Sequence, residues 1–389
     1  MISPLRALLL LWLAGVALRL TILAVPPVIP LIHDDLHLTE TQVGILSGLP
    51  MVLFAGAAIA GSLMIARLGA LSAMLIGLAL CAVGSAFRGV GPSVAMLYFG
   101  TVVTAFGVAV MQPSLPPLVR AWVPQRIGFA TAVYTNGLLI GEILPAALTI
   151  PLVLPMLRQS WQWDFVLWAV PVAVIAAIIF GLAPRAPAVT PTAASRRWML
   201  DFRNPLIWRI GLLLGSVNAT YFSMNGFLPD FLTHTGRPEL INASLTALNL
   251  GQLPASFLLL ASADRMVRTV WSYLACGLMC LISVAAIVFL GGVWVVVGCA
   301  VWGCFGAAVL VLVLVLALPP LISPPEDVHR VSAGMFTISY SCAVVVPIVS
   351  GVLWDVTGWT LAPFIPIGAC ALVLIGLAPT IVLREKQAA

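Results

Sequence analysis

The chain reads as long apolar runs separated by short polar breaks. A helix needs about 20 apolar residues to cross the hydrocarbon of a bilayer. The pattern predicts twelve such spans: 5–31, 41–65, 69–87, 93–119, 129–154, 165–183, 207–228, 241–262, 269–290, 293–318, 332–353 and 360–382. The longest polar interruption, Pro184 to Pro205, is rich in Pro, Ala and Arg and divides the spans six and six. The expected organisation is an N-terminal six-helix membrane domain over 1–183, a cytoplasmic linker over 184–206 and a C-terminal six-helix membrane domain over 207–389. The expected fold class is all-α integral membrane, with twelve transmembrane helices in two six-helix bundles. The first span begins behind a single cation, Arg6, as a signal peptide would. Arg19 then interrupts it, no small-x-small cleavage pattern follows and apolar sequence resumes, so it reads as a retained helix.

The two halves also match each other in order. Span 1 ends in Ile29-Pro30 and span 7 in Leu228-Pro229, with Arg19 and Asn218 equally far upstream of those prolines. Gly48-Leu49-Pro50 in span 2 answers to Gln252-Leu253-Pro254 in span 8, and the loops that follow read Ala66–Gly69 and Ala263–Arg268. Such pseudo-symmetry between helical halves is how many secondary transporters are built, with the solute site near the midplane.

Composition narrows the class. Hydrophobic residues make up 62% of 389 and charged residues only 8%, against about 25% charged in a soluble domain. The net charge of +5 reflects loop placement and not nucleic-acid binding. With the N-terminus inside, only Arg88, Arg158 and Arg237 of the 18 basic residues fall outside, and Arg19 lies within the membrane. Both termini are therefore expected in the cytoplasm. Asp34, Asp35, Glu40, Asp164, Asp230, Glu239 and Asp355 lean toward the outer side. All seven Cys lie inside predicted spans without Cys-x-x-Cys or Cys/His spacing, which argues for small buried apolar residues and against a metal site. No Walker A loop, Ser/His/Asp set or paired-carboxylate motif is present. The expectation is a non-enzyme with no cofactor.

Two charges are placed deep in the apolar spans, Arg19 and Glu142. A cation at mid-span costs roughly 2.5–3.5 kcal/mol on insertion scales, so it faces protein or a watery cavity. A structural Arg neutralised by another helix is one reading; contact with an anionic solute is favoured for a chain organised like a solute carrier. Glu142 shares a helical face with Thr131, Thr135, Leu138, Pro145 and Thr149. It is either a proton site or the neutraliser of Arg19, and the spacing leaves both open. In span 7, Gly211, Gly215, Asn218, Tyr221 and Asn225 form one face of small and polar groups, fit for solute contact or for interhelical hydrogen bonds. Gln112 precedes Pro113, Pro116 and Pro117, which predicts a broken helix near a cavity. The pairs Gly44/Gly48 and Gly137/Gly141 read as helix-packing positions.

Six plus six spans, the basic linker and the loops after spans 2 and 8 resemble the major facilitator superfamily. That family's loop signature is Gly-x-Leu-Ala-Asp-Arg-x-Gly followed by basic residues. The second copy here keeps Asp264, Arg265 and Arg268; the first keeps Arg67 and Gly69, with Ala66 where the Asp belongs. Leu18-Arg19, Phe87-Arg88, Gly107–Arg120 and Gln159–Pro171 further resemble the cyanate and nitroimidazole transporter group. The resemblance implies a monomeric transporter in a bacterial inner membrane, working by alternating access on a small-molecule substrate. In that family the first, fourth, seventh and tenth spans line the cavity, which implies Arg19, Gln112, Asn218, Tyr221 and Asn225 as the substrate set. Glu142 is the candidate for proton coupling, and Arg67, Asp264, Arg265 and Arg268 form the cytoplasmic loop motif. The expected function is secondary active transport of a small anionic or highly polar solute, cyanate-like or another small anion. The alternatives are efflux of neutral nitroaromatic or drug-like compounds, and a membrane solute sensor that does not transport.

Overall fold

The computed structural model describes residues 3–184, 204–257, 269–306 and 328–382. Every regular element among them is helical. The principal helices are α1 (Pro4–Leu20), α2 (Ile29–Leu36), α3 (Glu40–Leu68), α4 (Ala70–Arg88), α5 (Val94–Met111), α6 (Leu115–Trp122) and α7 (Ile127–Leu148). They continue with α8 (Trp161–Leu182), α9 (Pro205–His234), α10 (Ile241–Leu250), α11 (Val270–Phe289), α12 (Val293–Phe305), α13 (Val328–Thr357) and α14 (Phe364–Val382). Among the described residues, 6 helical stretches are long and apolar enough to cross a membrane, and three shorter apolar helices accompany them. Phe180, Trp271 and Phe289 stand exposed on them, as side chains that face lipid do. The loop residues Asp264, Arg265 and Arg268, and linker residues 185–203, lie outside the described residues.

Helix starts follow local chemistry. Pro4 and Pro205 occupy first-turn positions behind Ser3 and Asn204, whose side chains accept from the amides of Arg6 and Leu206. Thr39 and Gln42 form a reciprocal capping box at the start of α3, with the Thr39 amide donating to Gln42 Oε1 at 2.9 Å and the Gln42 amide to Thr39 Oγ1 at 3.2 Å. Breaks follow proline. The expected continuous span 5–31 is in fact interrupted: α1 ends at Leu20, and a short turn over Pro26–Val28 precedes α2. Pro26 and Pro27 lack the amide hydrogens that would carry the helix through. The expected break in span 4 occurs as a 3-10 turn at Gln112–Ser114.

Packing gathers the chain into two compact units. The first comprises Met1–Leu38 with Val52–Ala194, and the second Thr39–Met51 with Ser195–Ala389. The expected division falls at the linker, whereas residues 39–51 pack with the second unit. In the first unit, α1 lies against α7, and α4 against α5 and α8. The α1–α7 crossing is very close, because a Cβ on Gly137 or Gly141 would overlap the carbonyls of Trp12 or Val16. In the second unit α9 packs on α13 and α14, and α11 on α12 and α14. The start of α3 lies on α13. A Cβ on Gly351 would strike the backbone of Glu40, and the Asp355 carboxylate accepts from the amides of Glu40 at 2.9 Å and Thr41 at 2.8 Å and from the Thr41 hydroxyl.

Candidate functional site

The proline break decides where Arg19 sits. It stands in the last turn of α1, and its carbonyl accepts from the amides of Ile22 and Leu23. A cation there meets the negative end of the helix dipole. The close α1–α7 crossing then brings Glu142 to it. Arg19 Nε and Glu142 Oε1 are 3.3 Å apart, with the side chains 19% and 4% exposed. The two deep charges are therefore a direct ion pair, and the cation is its more exposed member.

Gln112 begins the 3-10 turn after α5, with its side chain exposed. Both α5 and α6 touch α1 in the same unit. Of the polar face around Glu142, Thr149 is fully buried and accepts from Trp168 Nε1 at 3.0 Å. Helix α7 passes there into a π-helical turn over Thr149–Val153, whose central residue, Pro151, has no amide to donate.

The first unit holds two more buried ionisable residues, which make no ion pair with each other among the described contacts. Arg88, expected at the outer surface, has no exposure at all, and neither has Asp164. One Arg88 nitrogen, Nη2, donates to the Thr21 carbonyl at 3.1 Å and to Thr104 Oγ1 at 3.0 Å. The guanidinium lies 5.0 Å from the centre of the Phe165 ring. Arg88 Nε and Nη1, and both carboxylate oxygens of Asp164, have no hydrogen-bond partner among the described residues. Arg88 is buried rather than exposed because Thr21, Thr104 and Phe165, from three different parts of the chain, converge on the end of α4. The two stretches that carry the family resemblance, Phe87-Arg88 and Gln159–Pro171, contain both charges, and that was the available signal.

In the second unit the expected face of α9 is divided between two neighbours. Gly211 and Gly215 pack against Ile338 and Cys342 of α13, and Asn218 Nδ2 donates to Ser339 Oγ at 2.9 Å. One helical step on, the Tyr221 hydroxyl donates to Asn249 Oδ1 at 2.8 Å, and Asn249 Nδ2 donates to Asn225 Oδ1 at 3.3 Å. Asn218, Tyr221 and Asn225 are all buried. Trp302 on α12 is fully buried, and its indole nitrogen has no partner among the described residues. Asp230, expected in an outer loop, is buried within α9, because the helix runs through Pro229 to His234. The loop residue Arg67 is exposed in the last turn of α3.

Comparison with known proteins agrees with this architecture. The family model described as Major Facilitator Superfamily matches residues 11–345. The chain is 26% identical over 357 residues to the cyanate transport protein CynX of Escherichia coli (strain K12), covering 90% of each. It is 28% identical over 236 residues to the 2-nitroimidazole transporter of the same organism, covering 59% of this chain and 58% of that one. Among solved structures, a bacterial homologue of the human lysosomal transporter Spinster, inward-facing and occupied, superposes with a TM-score of 0.76 at 16% identity, covering 98% of this chain and 96% of that one.

Proposed function

The chain belongs to the major facilitator superfamily, with its twelve-helix, two-bundle membrane fold, and from that premise we propose that it carries a small anionic or highly polar solute by alternating access. The Arg19–Glu142 pair is the observation that carries this reading. A buried ion pair is costly to desolvate and is weak evidence for stability alone. Here its cation is the better exposed partner, at a helix break, in a chain of the transporter class. A planar guanidinium grips a planar anionic or electron-rich group through two parallel hydrogen bonds, which a lysine cannot do. Gln112, exposed at the turn after α5 in the same unit, offers a further hydrogen bond, whereas the side chains of Asn218, Tyr221 and Asn225 in the second unit are engaged with Ser339, Asn249 and the α9 backbone. The relative named for cyanate transport supports an anion; Arg19's compensation by Glu142 supports a second reading, a neutral electron-rich solute such as a nitroaromatic.

Glu142 is the proposed coupling residue. An anion that engages Arg19 takes the counter-charge from Glu142, and a proton can then replace it. Anion and proton would assist each other, which gives symport. The protein works as a monomer in a bacterial inner membrane with both termini cytoplasmic, and Arg67, Asp264, Arg265 and Arg268 sit in its cytoplasmic loops. Orientation is checked by single cysteines on a thiol-free background: an impermeant reagent added to intact cells should label a Cys at Glu239 and spare one at Ser195.

The deciding experiment is uptake of radiolabelled cyanate, or of 2-nitroimidazole for the second reading, into proteoliposomes holding the full chain. Arg19→Lys should lower uptake by about tenfold or more, the worth of a charged hydrogen bond. Uptake within about twofold of wild type would remove Arg19 from recognition.

A further inference from the structure

A helix that stops inside a protein leaves its last carbonyls without amide partners. At the end of α1 the Arg19 carbonyl is met locally, by the amides of Ile22 at 3.1 Å and Leu23 at 2.9 Å. The Thr21 carbonyl, two residues on, is held differently. A continuous helix would send it the Val25 amide, but that amide turns to the Ile22 carbonyl at 3.4 Å, and Pro26 behind it has none to give. Arg88, at the end of α4, fills the gap with Nη2 at 3.1 Å.

Arg88 is itself fixed. The same nitrogen donates to Thr104 Oγ1 at 3.0 Å, and that hydroxyl spends its one hydrogen on the Gly100 carbonyl at 2.8 Å. A Cβ on Gly100 would stand 2.7 Å from Arg88 Cγ, so the glycine leaves room for the arginine stem. The Phe165 ring covers the guanidinium at 5.0 Å. Arg19, Glu142 and every residue of this anchor belong to the first unit.

We propose that Arg88 is a positioning residue for Arg19: by capping the broken end of α1 at Thr21 it fixes the turn that holds the Arg19 guanidinium against Glu142. The inference deepens, and rests on, the reading of Arg19 as the cation that meets solute. Arg88 acts only through the backbone of α1, two residues from the group it places. Binding groups work when their supports hold them to within about 0.5 Å, and a helix end with an unmet carbonyl would fray. Arg88 does this with one nitrogen, which sets it apart from Arg19. A lysine ammonium presents three hydrogens at one point and can serve both Thr21 and Thr104, whereas it cannot reproduce the planar fork that Arg19 offers a solute.

The test uses the purified full chain as wild type, Arg88→Met, Arg88→Lys and Arg19→Lys. Hydrogen exchange at the Ile22 and Leu23 amides should be about tenfold or more faster in Arg88→Met, the worth of a charged hydrogen bond, and close to wild type in Arg88→Lys. Arg88→Met should already have loosened the ion pair. Adding Glu142→Gln to it should therefore lower the melting temperature by about 1–2 °C less than the same change in wild type, the size of coupling between linked residues in a chain this long. A merely structural Arg88 gives losses that add. With cyanate as the probe, Arg88→Met should bind about tenfold more weakly and Arg88→Lys within about twofold of wild type, while Arg19→Lys stays weak.

Unchanged exchange at Ile22 and Leu23 in Arg88→Met, additive losses, or an Arg88→Lys protein no better than Arg88→Met overturns the proposal. Should Arg88→Met fail to fold, two results still decide. Fast exchange at these amides in Arg88→Lys overturns it, and so does wild-type exchange there about tenfold faster than in the middle of α1, the mark of a frayed end. A wild type that binds no cyanate, with the coupling to Glu142→Gln intact, would reject the anion reading and leave the anchor standing.

Discussion

Glu142→Gln keeps the shape of the side chain and deletes one member of the deep ion pair, so it tests how far the first unit depends on that charge. Two unit charges 3.3 Å apart attract by about 5 kcal/mol at an effective dielectric of about 20. Part of this is recovered when the partner is lost. Arg19 keeps some contact with its surroundings at 19% exposure, and the carbonyl end of α1 offers it roughly 0.3–1 kcal/mol. The expected loss therefore lies near the lower end of the range for breaking a buried pair, about 3 kcal/mol. For a chain of 389 residues that lowers the melting temperature by roughly 4 °C. The assay is thermal unfolding of purified protein in one detergent, for wild type, Glu142→Gln, Arg19→Met and the double variant. The double variant should melt well above the sum of the single losses, since it leaves no orphaned charge. Cyanate in large excess should raise the melting temperature of Glu142→Gln more than that of wild type, because the anion can replace the missing carboxylate. Saturation at about 100 times the dissociation constant would return about 2.7 kcal/mol. A Glu142→Gln protein that melts within about 1 °C of wild type, with no anion-dependent gain, would refute the ion-pair argument.

Other perturbations test the remaining features. Gly137→Val should cost about 1–3 kcal/mol, read as a fall in melting temperature, because its side chain would meet the Trp12 backbone and not a movable side chain. Arg88→Met removes the buried donor to the Thr21 carbonyl and the Thr104 hydroxyl and should cost about 1–3 kcal/mol, the penalty for leaving a buried acceptor unmet, read as a fall in melting temperature. Asp355→Ala removes the carboxylate that accepts the Glu40 and Thr41 amides. It should cost about 0.5–2 kcal/mol and speed hydrogen exchange at those two amides specifically.

The parts legible in the sequence were those carried by one segment at a time. Arg19 and Glu142 declared themselves by being charged within apolar runs, and Gly137 and Gly141 by their spacing. That Arg19 and Glu142 touch was not legible, because a helical period gives the face of a residue but not the rotation of one helix against another. Pro26 and Pro27 were visible, yet the run was apolar enough to read as unbroken, and the missing amides decide the matter only once geometry is drawn. Arg88 and Asp164 look like surface charges in the sequence because each stands at the edge of an apolar run. Burial there depends on Thr21, Thr104 and Phe165, which no local window contains. The α9 face was correctly seen as small and polar, but its division between Ser339 and Asn249 belongs to two other helices.

The start of α3 has a consequence for how the protein is made. Glu40 is bonded to Asp355, a residue 315 positions later. At roughly 5–20 residues per second, the ribosome delivers that partner about 15–60 s after the start of α3 has emerged. For that interval the segment Thr39–Met51 exists without the α13 surface on which it packs. The Thr39–Gln42 box, complete within four residues of chain, can hold the first turn meanwhile. A ribosome stalled in the linker would therefore display the first half of α3 uncovered. The first half of the chain cannot finish its own packing until nearly the last helix has been synthesised.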